Sequence, residues 1–536
     1  MWSPLMACRY SARFFLFNIT DMKRILHMLY GEFLSITSDL VRNNTKRQTD
    51  MRITLLLLFC AILSTSCDEK IAPNTHVGSD IDIYPDYKGV TIPCNIAPMN
   101  FNVLEEGDFA LLIKGEEQTI TVKARKGHFD IPAKKWREVL NSNMGKQLEF
   151  TIMSKEGAQW HAYNPFTMNV ASEPIDSHLA YRLLVPGEQW HKMGIYQRDL
   201  TSFKQSPIYE NHLTNFNCVN CHTFPSRNPD KMIMHIRAKE ANGTALIHKG
   251  EVKKINTKAK EMISNLVYSY WHPNERFLVA STNSTHQSYF YHSADRMEVY
   301  DTASDVVVWD TENNVIIDNK IIASPDKMET FPTFSPDGRR LYYCVAENVE
   351  NIHKNIDKLR YSLCAVDFDP ETGRTGTEID TLFNAQRERG SISMPRISPD
   401  GQHLVVNIMK WGNFSTYHSD SDLYTIDIET GELRAIDTIN SNESEGSHSW
   451  SSNSRWMVFS SRREDKLFTQ PHFTYIDKNG TFHKPFVLPQ RNPLQFYRDN
   501  FYAFNLPELI SGKVNVNPRD IATEMATDGI DLRYEK

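Results

Sequence analysis

Phe331-Pro332-Thr333-Phe334-Ser335-Pro336-Asp337-Gly338-Arg339-Arg340-Leu341 decides the fold, because it returns as Met394-Pro395-Arg396-Ile397-Ser398-Pro399-Asp400-Gly401-Gln402-His403-Leu404. Weaker copies are Tyr270-Trp271-His272-Pro273-Asn274-Glu275-Arg276-Phe277-Leu278 and Ser449-Trp450-Ser451-Ser452-Asn453-Ser454-Arg455-Trp456. Each copy reads as a tight hairpin. Proline presets the first turn position, Asp or Asn bonds back to the backbone, and glycine takes the left-handed position. An apolar strand enters the turn and an alternating strand leaves it.

A second element follows each turn: a strand that ends in an acidic residue. Val306–Asp310, Leu363–Asp367, Leu423–Asp427 and Phe473–Asp477 share it, Ile195–Asp199 fits upstream, and Thr244–His248 fits loosely. The recurring Asp310, Asp367, Asp427 and Asp477 read as turn caps, and Trp271 and Trp450 as core between units. Six units of four short strands, spaced roughly 50–60 residues apart, describe a β-propeller. The chain is expected to be all-β. A small β-sandwich over 80–175, with one short helix near 133–141, precedes a six-bladed propeller over 176–490. Residues 491–536 form a closing segment and a loosely packed polar tail; strands from 491–512 would make the blades seven.

Cys218-Val219-Asn220-Cys221-His222 carries the chemistry. Two cysteines three apart, followed by histidine, form the attachment pattern for haem c. Each thiol would form a thioether with the haem, and His222 would ligate the iron. Met232, Met234 and His235 on the next strand are candidates for a sixth ligand, with the methionines on one face and His235 on the other. His191, Met193 and His448 are more distant candidates that the sequence does not place. Three rival readings of the cysteines stay open: a redox dithiol, a zinc site needing further ligands, and a structural disulfide. Cys344 and Cys364 lie on neighbouring strands, as a disulfide or as two buried thiols.

Covalent haem predicts an exported protein, and the N-terminal region agrees. Met51-Arg52-Ile53-Thr54 precedes an apolar run over 55–63, then small residues and Cys67. The run is too short to span a membrane and fits a signal peptide over 51–67, with Cys67 as a lipidated residue and 68–79 as a tether. Residues 1–50 are then an over-extended start. Localisation in the cell envelope follows, as an outer-membrane lipoprotein facing periplasm or cell surface. The net charge of −7 supplies no basic surface for nucleic acid. There is no G-x-S-x-G elbow, phosphate loop or H-E-x-x-H, so no catalytic constellation is recognised.

The hairpin phrase resembles the WD40-like repeat of TolB-like propellers. Together with Tyr84–Pro93, Met193–Leu200 and Asn217–His222, it makes the chain similar to Bacteroidetes TolB-like proteins associated with cytochrome c biogenesis through this motif. The resemblance implies a TolB-like propeller and brings no settled function; the motif, the export signal and the repeat together predict an envelope propeller carrying haem c in electron transfer, haem sensing or assembly, with envelope proteins as partners. The alternative is a haem-free interaction scaffold in which Cys218 and Cys221 form a disulfide.

Overall fold

The structure, a computed structural model, describes residues 71–186, 191–290, 295 and 297–535. The predicted signal peptide, Cys67 and residues 1–50 lie outside the described residues. Six four-stranded antiparallel units form a β-propeller, preceded by a two-sheet layer. That layer has a seven-stranded sheet centred on Gln147–Glu156 and a three-stranded sheet containing Phe101–Val103. The sheets meet where Phe101 packs on Phe166, which stacks in turn on Phe150 at 5.1 Å between ring centroids. Helix Ala133–Ser142 buries Trp136, Val139 and Leu140, the helical spacing of one face.

In blades 2 to 6 the innermost strands are Cys218–Thr223, Leu266–Trp271, Lys327–Phe334, Ser391–Ile397 and Glu445–Trp450. Blade 1 is built differently. Its three outer strands, starting with His178–Leu184, come from the beginning of the propeller, while its innermost strand is Ala503–Ile510. Each innermost strand packs against the next, and the sixth packs against the first. Residues 491–512 therefore close the ring and do not add a seventh blade. Pairing two otherwise open edges removes them from solvent.

The tail is also more ordered than its polarity suggests. Helix Pro518–Met525 buries Ile521 and Met525. Ile530–Asp531 and Arg533–Glu535 then add in parallel to the outer edges of blades 2 and 3.

The four hairpin phrases adopt one turn. In blade 4, Gly338 N donates to Ser335 O, Ser335 N donates to Arg340 O, and Asp337 Oδ1 accepts from Ser335 Oγ and Arg339 N. Asp400 and Asn453 repeat this with Ser398 and Ser451. The left-handed position falls on Gly338, Gly401, Glu275 and Ser454, at φ between 60° and 76°. Asp310, Asp427 and Asp477 each cap their turn by accepting backbone N–H groups. In blade 4 the cap is Asp369, whereas Asp367 is an exposed partner of Arg340.

Trp271 and Trp450 tie neighbouring blades: Trp271 Nε1 donates to Thr223 O, and Trp450 Nε1 to Arg396 O. Cys344 and Cys364 are free and buried. Cys344 pairs with Leu363 and Tyr343 with Cys364, so the two thiols are one position out of register and face opposite sides of the blade.

Two glycines at the same motif position should respond unequally to substitution. Space around Gly401 is open, so Gly401→Ala carries only the strain of a positive φ, about 1 kcal/mol. A Cβ on Gly338 would run into the buried His272 ring, whose Nε2 contacts Gly338 O at 2.9 Å. Gly338→Ala should therefore cost on the order of 3 kcal/mol. Urea denaturation of the two variants checks this; equal costs would refute the clash.

Candidate functional site

All six innermost strands break register at the same depth in the ring. Two residues of the inner strand face one of its neighbour at Cys221-His222, Tyr268-Ser269, Phe331-Pro332, Met394-Pro395, Gly446-Ser447 and Leu506-Pro507. These are β-bulges, and three hold proline, which lacks the N–H that a regular ladder would use. Cys221, Tyr268, Phe331, Met394 and Leu506 have φ between 47° and 50°. Left-handed geometry in bulky residues costs on the order of 1–3 kcal/mol each and tends to collect at functional sites. These side chains, with Ser447, line a central cavity of about 350 Å³. The cavity reaches the hairpin-turn face of the propeller through Ser226, Pro273, Pro336, Pro399 and Ser452.

The other side of the channel is bridged. The long hairpin Phe277–Tyr289/Met297–Asp310 leaves blade 3 and reaches elements of blades 5 and 6. Glu298 lies 3.1 Å from His418 Nε2, Asp301 Oδ2 accepts from Asn413 Nδ2, and Asp295 pairs with Arg462 at 3.0 Å. Burial opposes a charge on His418, but Asp420 and Glu298 outweigh it and raise its pKa to about 9. The charged form therefore holds this bridge.

The Cys218–His222 motif forms the innermost strand of blade 2, and its last two residues are the bulge. A regular strand would send Cys221 and His222 to opposite faces; with the bulge, both border the cavity. Cys218 and Cys221 are free. Arg182 Nη2 lies 3.6 Å from Cys218 Sγ and 3.7 Å from Met193 Sδ, which also accepts from Val219 N. Burial pushes the Cys221 thiol up. His222 is 5% exposed; the Leu506 carbonyl lies beside its ring, and neither Nδ1 nor Nε2 makes a well-formed hydrogen bond. Burial, then the Arg182 charge, outweighs the Leu506 carbonyl and lowers its pKa to about 4, so the imidazole is neutral at neutral pH. A buried imidazole with a nitrogen left unpaired is costly and calls for a ligand or water.

The sixth-ligand candidates lie elsewhere. Met232 and Met234 are wholly buried with Ile195, Ile208 and Val219, between blades 1 and 2. His235 faces the other way, its Nδ1 against Thr244 Oγ1 at 3.1 Å. None of the three borders the cavity. Strand alternation separates them as expected, but both faces of that strand are packed against protein. His448 does border it, with Nε2 3.1 Å from Val405 O and the Gly446 backbone also beside its ring; burial, then Arg396, lowers its pKa to about 3. His191 packs near Tyr502. Among the described residues no group of three or more His, Cys, Asp or Glu is placed to hold a metal ion.

Three charged cavity residues escaped the sequence reading. Arg396 and Glu508 follow the bulge prolines of blades 5 and 1, and Arg227 stands in the blade 2 turn. Arg396 lies over the Tyr270 ring at 4.9 Å, and Arg227 Nε donates to Trp450 O. Glu508 Oε1 accepts from Phe224 N at 3.0 Å and Thr223 Oγ1 at 3.4 Å. The available signal was Leu506-Pro507-Glu508-Leu509, which repeats Met394-Pro395-Arg396-Ile397.

No family model and no curated protein matches the chain. Similar solved structures include the periplasmic gluconolactonase PpgL of Pseudomonas aeruginosa, at 13% identity and TM-score 0.33, covering 58% of this chain and 96% of that one. Prolyl oligopeptidase B from Galerina marginata is similar at 10% identity and TM-score 0.32; the match covers 63% of this chain and 42% of the oligopeptidase. The β-propeller domain of the Trilobed protease from Pyrococcus furiosus is similar at 12% identity and TM-score 0.28, covering 62% and 79%.

Glu508 makes stability depend on pH. Burial raises its carboxyl from 4.5 to about 7. The folded chain keeps a proton that the unfolded chain releases, so this contribution is full below 4.5 and is lost as pH rises through about 7. Glu508→Gln retains the acceptor and cannot ionise. Its advantage over wild type should be on the order of 2 kcal/mol larger at about pH 8 than at about pH 4, allowing for contact with cavity water. Chemical denaturation at both pH values checks this; an unchanged difference between variant and wild type would refute it.

Proposed function

We propose that the protein is an exported, TolB-like propeller lipoprotein of the cell envelope. Haem c is bound covalently at Cys218 and Cys221, with His222 as an iron ligand. The observation that carries this reading is the state of His222: a neutral imidazole, buried, with no well-formed hydrogen bond, directly after two free thiols. Neutral imidazole is the form that ligates iron, and thiols are the groups that form thioethers. The donor set therefore fits the group in its chemistry, with Cys221 and His222 on the cavity and Cys218 beside Arg182 outside its lining.

Bound there, the group would supply one-electron chemistry at its iron. The chain's own residues supply the surroundings. The bulge turns Cys221 and His222 toward one cavity, burial keeps His222 unprotonated, and Arg182 places a positive charge beside Cys218. With Met232, Met234 and His235 packed elsewhere, His448, from blade 6, is the other histidine that borders the cavity. Electron transfer, haem sensing and cytochrome-related assembly share this site, and envelope proteins are the partners. The signal segment and Cys67 give the address: a membrane anchor by N-terminal lipid, in a compartment where haem c attachment occurs.

Produced with haem-attachment machinery, the protein should show a Soret band that persists after denaturation and a pyridine haemochrome. Cys221→Ala should abolish doubly linked haem, and mass spectrometry should find a lipidated N-terminus at Cys67. A folded protein without covalent haem under those conditions would overturn the haem reading and leave the interaction scaffold.

A further inference from the structure

We infer that the central cavity is a binding site for a small ring-bearing carboxylate, its acid group on Arg396 and its flat body against the aromatic wall. The argument starts from charge. Arg396 and Arg227 bring two guanidinium groups to the enclosed space. His448, which shares it, is kept neutral by burial and by the Arg396 charge. Glu508, the carboxylate nearest Arg396, keeps its proton up to about pH 7, because burial opposes its ionisation. Arg396 has no carboxylate at ion-pairing distance among the described residues, and its one hydrogen bond there is from Nη1 to Pro395 O. An enclosed cation without a counter-ion is costly, and a planar guanidinium with free donors suits a carboxylate through two parallel hydrogen bonds.

Shape and lining then narrow the ligand. Tyr270 and Trp450 supply flat apolar walls beside Arg396. At about 350 Å³ the cavity lies at the small end of ligand sites, which suits a one-ring acid. Entry is from the turn face, since the other mouth is bridged by the blade 3 hairpin. Arg396, Glu508 and Tyr270 come from blades 5, 1 and 3, so the site does not require the haem reading. The same acid chemistry has two sources: a free organic acid, or an acid group of a prosthetic group attached at Cys221.

Benzoate is the probe, with benzamide as its neutral isostere, followed by isothermal titration. Haem-loaded protein and the Cys218→Ala/Cys221→Ala variant are titrated in parallel. Benzoate should bind the double variant and benzamide should not compete with it. Arg396→Gln should weaken benzoate at least about tenfold, the loss expected for a charge-assisted hydrogen bond. Arg396→Lys, which keeps the charge and loses the planar fork, should fall between. Circular dichroism and thermal melts confirm that the variants fold.

Benzoate binding to both proteins identifies a free acid as ligand. Binding only to the double variant identifies the prosthetic group's own acid. Either result supports the carboxylate site. No benzoate binding to either protein, equal binding of benzamide, or an unchanged affinity in Arg396→Gln would overturn it. None of those failures bears on covalent haem, and absence of haem with benzoate still bound would sink only the haem reading.

Discussion

Pairing of Ala503–Ile510 with His178–Leu184 is the interaction on which the rest of the molecule depends. It joins the first and last parts of the propeller sequence into one blade, and so leaves neither with an open edge. The same strand supplies Leu509 to the core shared with the N-terminal layer, and Leu506 and Glu508 to the cavity wall. The N-terminal layer is fastened over this seam. Tyr87 Oη donates to Val487 O, Trp456 Nε1 to Glu173 O, and Asn453 Nδ2 to Pro174 O. A contact between such distant segments carries a large loop-closure cost and is expected to form late. Blade 1 cannot be complete until nearly the whole chain is available.

Much of this was legible in the sequence, because the blade turn needs particular residues. Pro336, Asp337 and Gly338 each perform a distinct backbone task, and the task recurs with the residues at Pro399, Asp400 and Gly401. Trp271 and Trp450 read correctly as inter-blade core for the same reason. The closing strand was less legible because it lacks the turn: after Ile510 the chain leaves the blade and no return strand follows. Only Leu506-Pro507-Glu508-Leu509 marked it. In blade 4, a strand two residues longer moved the cap from Asp367 to Asp369.

The candidate site was legible in part. Spacing singled out Cys218, Cys221 and His222 as candidates, but strand alternation could not say that Cys221 and His222 share one cavity. A bulge overrides alternation, and its sequence mark, an apolar residue followed by proline, is absent from blade 2. The sixth-ligand candidates drawn from sequence neighbours do not border the cavity, for a related reason. Met232, Met234 and His235 are close along the chain, but strands in a propeller blade bury both faces against adjacent blades. The groups that share the cavity with His222 are contributed by other blades at equivalent positions, as His448, Arg396 and Glu508 are.

The ring of bulges makes the bore of the channel and the packing of the blades depend on the same side chains. Phe331 and Met394 border the cavity and belong at the same time to a buried apolar core, where Phe331 packs on Tyr268 and Phe414. The set found here, Cys221, Tyr268, Phe331, Met394, Ser447 and Leu506, spans the range from small to aromatic around one circumference. Blades 2 and 6 carry the small members, Cys221 and Ser447. Widening the channel at Phe331 or Met394 would take apolar packing out of the core as well, so room for a larger occupant costs stability.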